Sequence, residues 1–218
     1  MASRRCSSFF KTHGLEAAVG EELLLRGNSF KHNIPEIPNH YHRLLDGDEL
    51  AIGDRAWSVI AGFGHSPEHS SLYCKELGIL ISGDMLLPRI STNVSVMAPD
   101  PEADPLGLFL DSIGRFKRLP ADTLVLPSHG LPFVGLHARI AQLEEHHRDR
   151  CAALLAACST PKTAADLIPV LFARAMNDPY QIMFAMGEAI AHLNYLEKAK
   201  ALKRVPADGV VRFALRVH

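Results

Sequence analysis

Three segments of the chain, Gly64-His65-Ser66-Pro67-Glu68-His69, Ser82-Gly83-Asp84 and Pro127-Ser128-His129-Gly130, place imidazole or carboxylate groups directly after short apolar runs. Imidazole and carboxylate are side chains that borderline divalent ions such as zinc accept, and an ion held with one coordination position open can activate water. The chemistry these residue types suggest is metal-assisted hydrolysis. For any one of His65, Asp84 and His129 alone, the plainer role is to cap a loop by hydrogen bonding to backbone. Their shared position after three apolar runs is what points to an ion.

The positioning elements are readable from the same stretches. Trp57–Phe63, Gly78–Ile81 and Thr123–Leu126 are short, rich in β-branched or aromatic residues and bounded by Gly or Pro, the signature of strands. As neighbours in one sheet they would bring the three segments to one edge. Asp46-Gly47-Asp48 reads as a turn leading into a hairpin about Gly53-Asp54-Arg55, and a second hairpin joins Ser71–Cys74 to Ile79–Ser82. Asp104-Pro105 has the order of a helix cap and a first-turn proline, with Leu106, Phe109, Leu110 and Ile113 on one apolar face and Pro120 as the stop. A long helix follows from Leu136 to Ala157. Beyond Ser159-Thr160-Pro161 the pattern gives helices over 163–175 and 179–200 and a hairpin turning at Ala207-Asp208-Gly209, which together suggest a winged-helix-like unit. The domain division expected is therefore 1–158 and 159–218. Residues 1–32 read as short helical or irregular structure.

At 218 residues and 47% apolar content the chain can bury a substantial core, and a net charge of −1 argues against a general polyanion binder. The C-terminal 159–218 carries eight Lys/Arg against five Asp/Glu, a small basic excess that admits a weak nucleic-acid reading. Cys6, Cys74, Cys151 and Cys158 have neither metal-site spacing nor the density of a disulfide scaffold, and no long apolar stretch or signal core appears. These features predict a reducing, cytoplasmic setting and no membrane partner.

In order and context, Asp46-Gly47-Asp48, Gly64-His65-Ser66-Pro67-Glu68-His69, Ser82-Gly83-Asp84-Met85 and Pro127-Ser128-His129-Gly130 resemble the second half of the metallo-β-lactamase superfamily over about residues 35–150. The resemblance implies an α/β chain of the sandwich type, the second half of an αββα arrangement, carrying one or two zinc ions at the strand edge. It implies His65 as a ligand of the first metal, Asp84 as the bridging ligand that positions water, and His129 as a ligand of the second. His69 would support the ligands from behind. Residues 159–218 resemble the helical C-terminal extension of one branch of the family.

The family's first motif, His-x-His-x-Asp-His, does not occur in the sequence; His40-Tyr41-His42 is the nearest string and lacks the Asp-His pair. The expectation is thus of an N-terminally shortened member with two side-chain ligands per ion where catalytic zinc typically has three. Two functional readings follow. One is a hydrolase of small thioesters, esters or lactones, with RNA phosphodiesters as the outlying substrate class. The other is a non-catalytic interaction module whose open sheet edge pairs with a second copy.

The remaining candidates read as structural. His40 and His42 are expected to face solvent, His146-His147 to lie on a solvated helix face, and His192, Met183, Phe184 and Met186 to be core or contact residues. Cys151 and Cys158 are expected in the core, and Cys74 is expected within a strand and not as a nucleophile.

Overall fold

The computed structural model describes residues 2–25, 34, 36–172, 176 and 178–216. They divide between two compact units, one comprising Met1–Tyr41, Ser95–Asp104 and Asp149–His218, the other His42–Val94 and Pro105–Arg148.

The second of these carries a five-stranded sheet in the order β1-β2-β3-β4-β5: Glu49–Ile52, Arg55–Gly62, His69–Cys74, Ile79–Gly83 and Leu124–Pro127. The first four strands form an antiparallel meander, with tight turns at Gly53 and Gly78 in agreement with the sequence pattern. Strand β3 begins at His69 rather than Ser71, because Gly62 pairs with His69 across the sheet. Its histidine is therefore a strand residue rather than the end of a loop. Strand β5 pairs parallel to β4, a connection that needs a crossover. Helix α3, Pro105–Arg115, lies within that crossover.

Alternation along β2 buries Trp57, Val59 and Ala61, and the fully buried Leu80 and Val125 face each other between β4 and β5. Leu106, Phe109 and Ile113 recur at helical spacing on α3 and are all fully buried. This face holds α3 in place by apolar burial, each such side chain contributing about 1.5–3 kcal/mol.

A polar clamp secures the end of β2 nearest the candidate site. Arg115 donates to the Ala61 carbonyl at 2.8 Å and to Asp46 Oδ2 at 2.6 Å, while Asp46 Oδ1 accepts from the Ala61 N–H at 2.9 Å. The Ala61 hydrogen bond, and then Arg115, hold the Asp46 carboxyl below the usual carboxylate range. The long helix α4, Leu136–Ala157, forms as expected. His147 on it is not solvated, however: it is 1% exposed, its ring edge-on to Phe109 at 5.8 Å. Arg148, a charged neighbour that suggested a wet face, is exposed on another side of the helix.

In the other unit, α1 (Ala2–Thr12) and α2 (Ala17–Leu25) precede α5 (Ala164–Leu171), α6 (Pro179–Lys198) and the hairpin β6–β7 (Leu202–Ala207, Val210–Leu215). The helix–helix–hairpin order matches the sequence pattern. Thr163 and Asp166 form a reciprocal capping box at α5, and Asp178 caps α6 ahead of Pro179. Helix α5 ends at Leu171; residues 173–175, over which it was expected to continue, lie outside the described residues. Met186, His192 and Cys158 are fully buried and Cys151 nearly so, as expected, and burial pushes the Cys151 thiol up to about 11. Phe184 is 45% exposed, which excludes the core and leaves the contact role. Among the described residues no helix is long and apolar enough to cross a membrane.

Glu188 on α6 supplies a pH prediction. Burial raises its pKa from the ordinary 4.5 to about 7, against the opposing pull of Arg150. The folded state then holds this proton more tightly than the unfolded chain, so its contribution to stability is full below about pH 4.5 and is lost as pH rises through about 7. The Glu188→Gln variant is expected to gain stability relative to the parent across that window, reaching an advantage of up to about 3 kcal/mol at pH 8. Urea midpoints of the two proteins at pH 4.5 and pH 8 measure it; an unchanged difference would show that Glu188 is solvated. Comparing the pair cancels the contributions of His13 and His69, whose pKa values burial lowers.

Candidate metal centre

The three predicted side chains come together at the ends of β2, β4 and β5. His65 follows β2, Asp84 follows β4 directly, and His129 lies two residues beyond β5. His65 Nε2 stands 3.5 Å from Asp84 Oδ2, and His129 Nε2 stands 3.5 Å from Asp84 Oδ1. One carboxylate thus faces two imidazoles, each through a different oxygen. His65 and Asp84 are mostly covered, while the His129 side chain is 69% exposed.

The spacing fits an ion better than a hydrogen bond. A charge-assisted N–H···O bond closes to about 2.7–2.9 Å, whereas two ligand atoms each about 2.1 Å from a tetrahedral zinc lie about 3.4 Å apart. The observed 3.5 Å separations are longer than such a hydrogen bond and close to the distance between two ligand atoms on one ion. Tautomer agrees: His65 Nδ1 donates to the Asn93 carbonyl at 2.8 Å, which leaves the Nε2 lone pair directed at the site. Among the described residues no three His, Cys, Asp or Glu side chains close round a single point. The arrangement is two pairs sharing Asp84 rather than one three-ligand cage.

Further contacts fix the shared carboxylate. Ser128 Oγ donates to Asp84 Oδ1 at 2.5 Å, and Thr92 Oγ1 donates to the Asp84 backbone carbonyl at 2.5 Å. His69 Nε2 accepts from the Asp84 N–H at 3.1 Å, so this ring supports the backbone of Asp84 and does not face its carboxylate. Burial, and then the repulsion that a protonated His65 would exert, keep the His69 pKa below the usual imidazole range against the attraction of Asp84. Among the described residues its Nδ1 is buried without a hydrogen-bond partner. Glu68, in the same segment as His65, is engaged bidentately by Arg43 at 2.7 and 3.1 Å and is not turned to the site. His40 and His42 are exposed and do not join the cluster.

Ser128, Thr92 and Asn93 carried no assigned role in the sequence. Ser128 had one available signal, a hydroxyl adjacent to a candidate ligand. Thr92 and Asn93 sit in a polar, proline-containing stretch whose partners only folding reveals.

Comparison with known proteins gives two family matches. Residues 10–129 match the family model of the metallo-beta-lactamase superfamily, and residues 151–216 match that of the metallo-beta-lactamase-like C-terminal domain. A beta-lactamase domain protein from Burkholderia ambifaria superposes with a TM-score of 0.91 at 48% identity, covering 95% of this chain and 60% of that one. A metallo-beta-lactamase family protein from Thermus thermophilus superposes at 0.75 with 32% identity over 95% and 62% of the two chains. A probable metallo-hydrolase of Bacillus subtilis is 29% identical over 154 residues, 69% of this chain and 47% of that protein. A hydroxyacylglutathione hydrolase of Idiomarina loihiensis is 30% identical over 95 residues, 44% of this chain and 34% of that protein. The chain spans less than half the length of these last two relatives.

Proposed function

This chain belongs to the metallo-β-lactamase superfamily, and on that premise we propose that His65, Asp84 and His129 hold one or two zinc ions for hydrolysis of a small thioester, ester or lactone. The observation that carries the reading is the single carboxylate flanked by two imidazoles at ligand-pair spacing. Zinc, when bound, supplies Lewis acidity and a water that loses its proton near neutral pH. The chain's own residues do the rest by orientation. Asn93 holds His65 with its lone pair inward, Ser128 fixes the rotation of the Asp84 carboxylate, and His69 pins the backbone that carries it. Such contacts to a ligand are worth about 10–100-fold in metal affinity or activity.

The choice of thioester within this class rests on the hydroxyacylglutathione hydrolase relative. The test is to dialyse the protein against zinc, measure bound metal by elemental analysis, and follow thiol release from a hydroxyacylglutathione thioester. Near-stoichiometric zinc and chelator-sensitive thiol release are expected. A protein that stays metal-free and inert would favour the interaction-module reading instead.

A further inference from the structure

Beside His129 lies a cavity of about 540 Å³, lined chiefly by Pro88, Arg89, Ile90, Leu131 and Phe133. We propose that this cavity binds the apolar acyl or alkyl portion of an anionic substrate, with Arg89 receiving the anion. The inference deepens the hydrolase reading and rests on it for the chemistry, though not for the binding.

Five observations support it. The size falls within the roughly 300–1,000 Å³ common for small-molecule sites, and His129 forms part of the wall, so an occupant lies beside the Asp84 cluster. Ile90 and Leu131 are 61% and 77% exposed, two large apolar side chains held in water at the rim of one concavity.

Both walls are preformed. Arg139 donates from Nε to the Leu87 carbonyl at 2.7 Å and from Nη2 to the Ile90 carbonyl at 2.8 Å, bracing one wall with its planar fork. Phe133 on the other wall exchanges two backbone hydrogen bonds with Val125 of β5, at 2.8 and 3.0 Å. The walls meet at Gly130, where an added Cβ would lie 2.7 Å from Pro88 Cγ. A site already built in this way loses little freedom when it binds.

The charge is one-sided. Among the described residues no acidic side chain lines the cavity. Arg139 is committed to carbonyl groups, while exposed Arg89 makes no hydrogen bond or ion pair with the described residues. A neutral apolar ligand would leave that cation unused; an amphiphilic anion uses both features.

The test titrates isotope-labelled full chain with octanoate in the presence of EDTA, so that no metal can attract the carboxylate, and follows amide resonances. Saturable shifts at Ile90, Leu131 and Phe133 are expected. Octanamide should bind about fivefold more weakly, the upper range for an exposed ion pair, and acetate should not saturate. Arg89→Ala should bring octanoate to the octanamide level, and Leu131→Asp should weaken both. Equal affinity for octanoate and octanamide, shifts centred elsewhere, or no saturation would overturn the proposal. So would concentration-dependent dimerisation that Leu131→Asp abolishes, which would assign the rim to a second copy of the chain. Because octanoate binding is read without metal, a protein that binds octanoate but not zinc would retain the pocket and lose the hydrolase reading; the reverse result would do the opposite.

Discussion

Asp84→Ala is expected to leave a folded chain that no longer holds zinc, with affinity down by more than about 100-fold, beyond what losing an outer hydrogen-bond partner costs. The argument is geometric. Asp84 is the member common to both imidazole pairs, so its removal takes one ligand from each, and neither His65 nor His129 has a replacement within reach among the described residues. The fold should tolerate the change, because the carboxylate is partly exposed and its hydrogen-bond donor Ser128 can turn to water. Asp84→Asn separates charge from shape: it retains the size of the side chain and the Ser128 contact but not the anion, and should also fail to hold zinc. A competition titration against a chromogenic chelator reads both variants. Zinc affinity within about tenfold of the parent in Asp84→Ala would remove Asp84 from the site.

Gly64→Ala should be among the most damaging single-methyl changes in the chain. Gly64 has φ +98°, where L residues are strained, and an added Cβ would press on the Pro105 carbonyl and lie 2.7 Å from the Phe109 Cβ and N. The backbone after β2 thus passes directly over the first turns of α3, with no room for a side chain. Strain of about 1–3 kcal/mol and overpacking of about 1–3 kcal/mol together predict a loss on the order of 10 °C in Tm. Gly78→Ala is the matched control, since Gly78 also has positive φ but an added Cβ would meet nothing within 4 Å. It should cost about 1 kcal/mol. Equal shifts for the two in a thermal melt would show that α3 yields readily. The consequence would also reach the site, because displacement at Gly64 moves His65.

What the sequence made legible was local. Gly53-Asp54 and Lys75–Gly78 announced hairpins because short turns need particular residues, and the strand-end positions of His65, Asp84 and His129 were visible because apolar runs precede each. What was hidden depends on partners distant along the chain. Asp46 gave a turn signal, but nothing near it indicated that Arg115 would bind its carboxylate. The turn itself was therefore readable while the clamp was not. Ser128 lay beside a candidate ligand, yet its bond runs to Asp84, a contact fixed by the register of β4 and β5. His147 shows the converse limit. Neighbours in sequence suggested water, whereas Phe109 from another element covers the ring. Helical periodicity sorts faces, but the width of the covered face is decided by what packs on it.

The mixed direction of the sheet also has a consequence in time. Strands β1 to β4 join by local hairpin connections, whereas β5 must wait for the crossover containing α3 before it can dock parallel to β4. Contacts between residues close along the chain form soonest, and long-range parallel pairing comes late. During synthesis the nascent chain can therefore assemble His65 with Asp84 while the ribosome still holds the segment bearing His129. By that order the covered imidazole is expected beside the carboxylate first and the exposed one last.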